Sequence, residues 1–275
     1  MNPLSPAVIA ERHRLLEAVS AIVRRAGEAV MSVYGTDFLV HGKSDDSPVT
    51  EADRRAEAIL TTALQRLLPG VPVIAEEAVA AGEQPALQSG ACFWLVDPVD
   101  GTREFVARNG EFTVNVALVE FGQPVLGVVQ APALGLLYAG GPNLGAWCET
   151  DAPSGAQGLP PGRQPVQCRR APPGGLTVTA SRSHGDDQRQ QALLALLGVR
   201  VAHTLRVGSS LKFCQIASGQ ADLYPRLGRT MEWDVAAGQA VLAGAGGRVE
   251  SLAGLPLRYG KPGWENPDFV AWGQR

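Results

Sequence analysis

The sequence predicts a mixed α/β sandwich, and three observations lead there. Apolar residues recur at helical spacing near the N-terminus and again after residue 50. Short apolar runs of strand length then follow one another through the middle of the chain. Beyond them, strands and helices alternate without clean βαβ spacing, which argues against a regular doubly wound sheet. The chain has 275 residues, 45% of them apolar and 19% charged, enough for one large domain or two domains sharing an interface. The 32 glycines and 20 prolines call for many turns and speak against a helical bundle.

In chain order, Val8, Leu15, Leu16, Val19, Ile22, Val23 and Val30 place a helix over about 7–34. A second helix starts after Thr50, a suitable N-cap. Glu51 and Asp53 sit in its positive first turn, and Pro69-Gly70 ends it. Strand-like runs occupy 71–75, 92–96, 113–119 and 125–130. Residues 152–175 are rich in Pro, Gly and Gln without a period, and they read as a surface loop or a linker. Further on, 176–180 reads as a strand, 188–197 and 211–218 as helices, 222–225 as a strand and 235–245 as a final apolar helix. The expected organisation is an α+β part over 1–150, a linker or loop over 151–175 and an α/β part over 176–275.

Composition excludes several classes of function. Lys and Arg number 24 against 27 acidic residues, a formal charge of −3, so there is no basic footprint for a nucleic-acid polymer or an anionic membrane. An anionic substrate would need local help from a metal or from a few placed cations. Cys92, Cys148, Cys168 and Cys214 are scattered with no Cys-x-x-Cys pair, which argues against a disulfide framework or a zinc ribbon. The N-terminal stretch becomes charged before an apolar signal core can form, and no run reaches the roughly 18 apolar residues of a membrane span. The expectation is a cytoplasmic protein. Alanine-rich helices fit a homodimer face or a plain core equally well.

The chemistry concentrates in F-W-L-V-D-P-V-D-G-T at 93–102. An apolar strand ends in Asp97 and Asp100, Pro98 fixes the backbone between them, and Gly101 permits close backbone approach. A helix starting near Thr102 would aim its first N–H groups at the same point. Oxygen ligands of this kind suit hard divalent cations, which often share them with a substrate phosphate. Taken alone, D-x-x-D-G also describes an ordinary turn. Glu76-Glu77, however, follows a second apolar strand, and Asp234 opens the apolar helix near the C-terminus. Singly, these acids read as a solvated pair and an N-cap; together they read as a site. No Ser-His or Cys-His arrangement offers a nucleophile.

V-I-A-E-E at 73–77, W-L-V-D-P-V-D-G-T at 94–102 and E-W-D-V-A-A-G at 232–238, with S-P-V-T-E-A-D at 47–53, resemble the inositol-monophosphatase-like, metal-dependent, lithium-sensitive phosphatases. The resemblance implies a layered αβαβα sandwich of the inositol-monophosphatase/fructose-1,6-bisphosphatase type. It implies that Glu76, Asp97, Asp100 and Asp234, with the carbonyl of Val99, bind two or three Mg²⁺ ions. Thr102, with Glu76 and Asp53 in support, would orient and deprotonate the attacking water, and Gly101 and Thr102 would present N–H groups to the phosphate. On residue chemistry alone, Asp53 could equally be a first-turn acid of its helix.

Within that family, 101–115, T-A-S-R-S-H at 179–184, G-S-S-L-K-F-C at 208–214 and Q-A-D-L-Y-P-R at 220–226 resemble the 3′(2′),5′-bisphosphate nucleotidases. Where inositol phosphatases place an acid that contacts sugar hydroxyls, this chain has Pro225-Arg226-Leu227 and no carboxylate. By the same resemblance Ser181, Gly208, Ser209, Ser210 and Lys212 line the nucleotide side of the pocket. Each has a plain rival reading: turn cap, helix cap or surface charge. Arg103, Arg108 and Arg226 are further phosphate contacts or solvated charges, and His184 is structural or functional. The implied reaction is Mg²⁺-dependent removal of the 3′-phosphate of adenosine 3′,5′-bisphosphate, giving AMP and phosphate, which would clear a by-product of sulfate-donor metabolism. The rivals are an inositol-1-phosphate or fructose-1,6-bisphosphate phosphatase, and a non-catalytic binding or regulatory protein on the same fold.

Overall fold

The computed structural model describes residues 4–42, 48–83, 87, 90–151, 161–182 and 187–274. Ser47 of the upstream motif, residues 152–160 of the expected linker, and Ser183 and His184 lie outside the described residues. In chain order the elements are α1 (Pro6–Tyr34), β1 (Val40–Gly42), β2 (Pro48–Thr50), α2 (Glu51–Leu67), β3 (Val73–Ala75), α3 (Glu76–Ala80), β4 (Cys92–Asp100) and α4 (Thr102–Val106). They continue with β5 (Thr113–Glu120), β6 (Gln123–Ala131), β7 (Leu136–Gly141), β8 (Gly145–Thr150), β9 (Gly162–Pro165), β10 (Leu176–Ser181) and α5 (Asp187–Leu196). The chain closes with β11 (Val201–Val207), α6 (Leu211–Ala217), β12 (Leu223–Arg226), α7 (Glu232–Gly244), β13 (Arg248–Ser251) and β14 (Phe269–Trp272).

The strands form a seven-stranded sheet in the order β3-β4-β5-β6-β7-β8-β9, a five-stranded sheet in the order β11-β10-β12-β14-β13, and the small β1-β2 ribbon. In the larger sheet only β3 and β4 run parallel, and the rest is an antiparallel meander. In the smaller one β10 is parallel to β11 and β12, while β14 runs antiparallel to β12 and β13.

Side-chain alternation sorts the strands into layers. On β4, Trp94 and Val96 face one core with Leu16, Val19 and Val23 of α1 and Leu60 and Leu64 of α2. Phe93 and Leu95 face the opposite core with Leu211 and Phe213 of α6 and Trp233, Val241 and Leu242 of α7. That second core also takes Phe269 and Ala271 of β14, whose alternate residues Val270 and Trp272 join Leu194 of α5 in a third. The layers are therefore α1/α2, large sheet, α6/α7, small sheet and α5: the expected αβαβα sandwich. The central core is shared by both sheets, and α7 packs across β5, β6 and β7.

Local signals account for the two N-terminal helices. Ser5 Oγ accepts the Val8 N–H of α1 at 3.4 Å, and Pro6 occupies the first turn. On α2, Thr50 and Asp53 form a reciprocal capping box. The Pro/Gly-rich stretch read as a linker or loop is, in its second part, built into the fold. β9 extends the large sheet, Cys168 is buried in the central core, and Arg169 makes a bidentate ion pair with Asp222 at 2.8 and 2.7 Å. A strand of four polar, Gly and Pro residues carries no apolar alternation, so the sequence offers no sign of β9. The β7–β8 hairpin and the strands β11, β13 and β14 were also not anticipated. Their residues are small, exposed or too few to show a period. Among the described residues, no helix is long and apolar enough to cross a membrane.

Candidate active site

Two residues three apart on a regular strand point to opposite faces. Asp97 and Asp100 share one side because β4 carries a bulge. Asp97 pairs with Asn115 and Asp100 with Thr113, so three steps on β4 match two on β5. The face is the one already used by Phe93 and Leu95 toward the central core. On β5, Ala117 and Val119 continue that core, while Thr113 and Asn115 turn polar at the end where the carboxylates emerge. β3 supplies the next acid. Its register pairs Ala75 with Val96, and one step further come Glu76 and Asp97. The first amides of α3 do not go unmet, since Glu57 of α2 accepts Glu77 N–H at 2.8 Å and Ala78 N–H at 2.9 Å.

The fourth acid, Asp234, arrives with α7 from the C-terminal part of the chain, where its Oδ2 accepts the Met231 N–H at 2.9 Å. Ser210 ties it to Asp100. The Ser210 hydroxyl lies 2.8 Å from Asp100 Oδ2 and 2.7 Å from the Asp234 carbonyl, and it accepts from Asn115 Nδ2 at 3.0 Å. Four donors converge on the single oxygen Oδ2 of Asp100. They are Ser210 N–H at 2.6 Å, the Ser210 hydroxyl, and Thr113 Oγ1 and Asn115 Nδ2 at 3.3 Å each. A carboxylate held by one oxygen keeps a fixed orientation.

Gly101 makes the turn from β4 into α4 at φ 87°, where a side chain would be strained. A five-residue helix cannot hold itself. Phe105 anchors it, fully buried among Tyr34, Phe38 and Phe112 at ring distances of 4.8–5.1 Å. Thr102 therefore sits at a defined place, its hydroxyl donating to the Val99 carbonyl at 3.2 Å.

These residues line a cavity of about 420 Å³ that includes Glu76, Asp97, Val99, Asp100, Gly101, Thr102, Ser181, Ser209, Lys212 and Asp234. Of the sequence-predicted residues, Asp53, Gly208 and Ser210 are not among its lining. Asp53 is buried in its capping box, with Oδ2 accepting Thr50 N–H at 2.8 Å and Thr50 Oγ1 at 2.7 Å. Gly208 and Ser210 sit behind the wall. Arg103 and Arg226 line the cavity, but Arg108 does not: its guanidinium caps the end of α1 by donating to the Tyr34 and Thr36 carbonyls at 2.7 and 2.5 Å. Sequence reasoning missed Glu104, Arg229 and Thr230 in the lining and Thr113 and Asn115 behind it. Polar residues at 113 and 115 in an otherwise apolar strand were the available signal for the last two.

The electrostatics divide the cavity. Burial pushes the Asp97 carboxyl well above the ordinary carboxylate range, and the charges of Glu76, Asp100 and Asp234 push it the same way. Asp234 is raised by burial and then by Asp100 and Glu76. Among the described residues, no three Asp, Glu, His or Cys side chains close into a ready-made ion cage. The four carboxylates instead share one wall of an open cavity. An all-oxygen, mutually repelling donor set of this kind fits a hard dication that keeps some water and shares ligands with a phosphate. In the same lining, Lys212 is buried on α6, with Nζ donating to Ser209 O at 2.6 Å and lying 5.3 Å from the Tyr224 ring centre. Burial draws its ammonium down to about 8, with Arg226 acting in the same direction and Asp100, Glu104 and Glu111 opposing. Arg226 donates to the Arg229 carbonyl at 2.9 Å, and its Nε has no hydrogen-bond partner among the described residues.

Known proteins similar to this chain in sequence and in fold point to one family. The 3′(2′),5′-bisphosphate nucleotidase CysQ of Escherichia coli (strain K12) is 44% identical over 258 residues, 93% of this chain and 98% of that protein. The CysQ nucleotidase of Buchnera aphidicola is 36% identical over 90% of this chain and 88% of its own length. Among solved structures, CysQ from Bacteroides thetaiotaomicron, described as a bacterial member of the inositol monophosphatase family, superposes with a TM-score of 0.75 at 34% identity, covering 95% of this chain and 98% of that one. Mycobacterium tuberculosis SuhB superposes with a TM-score of 0.70 at 26% identity, covering 95% and 91%. The profile of the inositol monophosphatase family matches residues 11–268, a span that holds every acid on the carboxylate wall, and the chain belongs to that family.

Proposed function

We infer that the chain is a 3′(2′),5′-bisphosphate nucleotidase that hydrolyses the 3′-phosphate of adenosine 3′,5′-bisphosphate to AMP and phosphate. The observation that carries this reading is the make-up of one cavity, whose lining joins the acids Glu76, Asp97, Asp100 and Asp234 with the cations Lys212 and Arg226. A substrate with two phosphates, one to be cleaved and one to be held, matches both groups. A bare polyol matches only the first. The CysQ relatives, which are 3′(2′),5′-bisphosphate nucleotidases, support the same substrate class.

Members of the family are metal-dependent phosphatases. Here Glu76, Asp97, Asp100, Asp234 and the Val99 carbonyl would hold Mg²⁺, in two or three ions. The bound metal supplies neutralisation of the phosphoryl oxygens, acidification of the attacking water and stabilisation of the leaving alkoxide. The protein's own groups do the rest. Thr102 orients the water and Glu76 accepts its proton, with Asp53 in support from its capping box on α2. The Gly101 and Thr102 N–H groups meet a phosphoryl oxygen. Water adds to phosphorus, the bond from phosphorus to the ribose 3′-oxygen breaks, and the departing oxygen takes up a proton. Ser181, Ser209 and Lys212 face the nucleotide side. Gly208 and Ser210 act from behind by holding that wall and Asp100.

Phosphate release from adenosine 3′,5′-bisphosphate, inositol-1-phosphate and fructose-1,6-bisphosphate, with Mg²⁺ and with chelator, tests the reading. The expected result is a Mg²⁺-dependent preference of tenfold or more for the nucleotide, about 1.4 kcal/mol in transition-state binding. A preference for inositol-1-phosphate would discard the assignment of Lys212 and Arg226, and a preference for fructose-1,6-bisphosphate would keep a second-phosphate site and discard the nucleotide.

A further inference from the structure

The loop between β11 and α6 carries Ser209, which lines the cavity, and leads into Lys212. It is gripped at both ends. On the carboxylate side, Ser210 N–H and hydroxyl bind Asp100 Oδ2. On the far side, Glu111 Oε2 accepts the Gly208 N–H at 2.8 Å. The same carboxylate is held by Arg182 in a bidentate pair, Nε to Oε2 at 2.8 Å and NH2 to Oε1 at 2.7 Å. Arg182 also donates to the Arg206 carbonyl at 2.9 Å, just upstream of the loop.

Contacts at Gly208 leave no slack. A Cβ there would lie 2.6 Å from the Glu111 carbonyl and 2.7 Å from Glu104 Cγ. The next residue, Ser209, is held at φ 48°, a left-handed conformation that a serine adopts only when its surroundings impose it. The Ser209 carbonyl in turn receives the Lys212 ammonium. A chain of direct contacts thus runs from Arg182 through Glu111, Gly208 and Ser209 to Lys212.

We propose that Glu111, clamped by Arg182, is a positioning residue that sets the 208–210 loop and through it the Lys212 ammonium, and so determines preference for doubly phosphorylated substrates. The proposal rests on the nucleotidase reading above. Glu111 touches no reacting atom. It holds the turn that presents the cation, while Asp100 holds the other end and keeps cleavage geometry in register. Loss of the clamp therefore falls on recognition of the second phosphate more than on cleavage.

Glu111→Gln, Arg182→Gln and the double variant test this. Each is assayed on adenosine 3′,5′-bisphosphate and on adenosine 3′-monophosphate, with amide exchange measured at Gly208 and Ser210. The expected result is about a tenfold fall in kcat/KM on the bisphosphate and at most about threefold on the monophosphate. The double variant should be no worse than the worse single, and the Gly208 amide should exchange faster in all three. Equal losses on both substrates, or wild-type exchange at Gly208, would overturn the proposal and leave the pair a plain structural contact. A wild-type protein that fails to cleave either nucleotide overturns the nucleotidase reading instead, and the exchange measurement then decides the clamp by itself.

Discussion

The acidic and the cationic groups of the cavity solve opposite electrostatic problems in different ways. Among the acids, Asp100 and Asp234 are oriented by neutral donors: Ser210, Thr113, Asn115 and the Met231 backbone amide. Among the cations, Lys212 is stabilised by carbonyl oxygens and an aromatic face rather than by a carboxylate partner. Carboxyls that raise one another favour a bound cation, and an ammonium held by carbonyls retains its attraction for an anion. The fold holds both in place because the central core beneath them is shared by the two sheets.

The largest effect should come from the acid wall. Asp97→Asn is expected to cut kcat by about 1,000-fold, or ~4 kcal/mol in the barrier. Its thermal stability without metal should hold or rise, because one of the buried, mutually repelling charges is gone. In the unaltered protein, Mg²⁺ at a hundredfold excess over its Kd should add about 2.7 kcal/mol. That corresponds to a rise of roughly 5–10 °C in Tm for a chain of this size. A melt of the variant showing the same rise would remove Asp97 from the metal-binding set.

Next comes the cationic group. Lys212→Met, which keeps the apolar stem, should raise KM for adenosine 3′,5′-bisphosphate about tenfold and leave the monophosphate within about threefold, the size of one charge-assisted contact. Parallel kinetics on the two substrates would show that Lys212 does not meet the second phosphate.

The same lysine makes the comparison pH-dependent. Its folded pKa lies near 8, below the 10.5 of an ordinary lysine, so the ammonium deprotonates as pH rises through 8. KM for the bisphosphate should climb over pH 8–9 by several-fold, and the climb should be absent in Lys212→Met. Stability responds in the opposite sense. Between about 8 and 10.5 the unfolded chain binds the proton that the folded one has released, so this residue's contribution to stability increases with pH. A KM profile of the same shape in variant and wild type would exclude Lys212 as the titrating group.

The smallest effect on activity should come from Arg108, which the sequence offered as a phosphate contact and the structure uses as the cap of α1. Arg108→Ala should lower stability by about 1 kcal/mol and leave KM unchanged. A raised KM in steady-state assays would return Arg108 to the site.

Much of this was legible without coordinates, and unevenly so. The carboxylate wall could be read because its acids follow apolar strand runs or open a buried helix, and each of those patterns is local. The helices over 7–34 and 51–67 carry their own caps and periods, and the structure agrees with them closely. The cationic group was harder. Ser209, Ser210 and Lys212 are near neighbours in sequence, yet Ser209 and the buried Lys212 line the cavity while Ser210 holds Asp100 behind it. Asp53 offered two readings, and the structure displays the capping box. Glu111 and Arg182 lie in segments that carry the nucleotidase resemblance, but nothing there signalled their pairing, since an acid and a base 71 residues apart pair only when two sheets are brought together.

By itself the sequence determined the kinds of element and the chemistry on offer: alternation that buries alternate strand residues on two faces, caps that start helices, and acids that suit a hard cation. These depend on interactions within a few residues, where spacing is dictated by the backbone. Tertiary structure decided which groups meet. The bulge that turns Asp97 and Asp100 to one side, the arrival of Asp234 on α7, and the loop held between Asp100 and Glu111 all depend on partners far along the chain. Such contacts form only once the core has paid the entropy of bringing distant segments together.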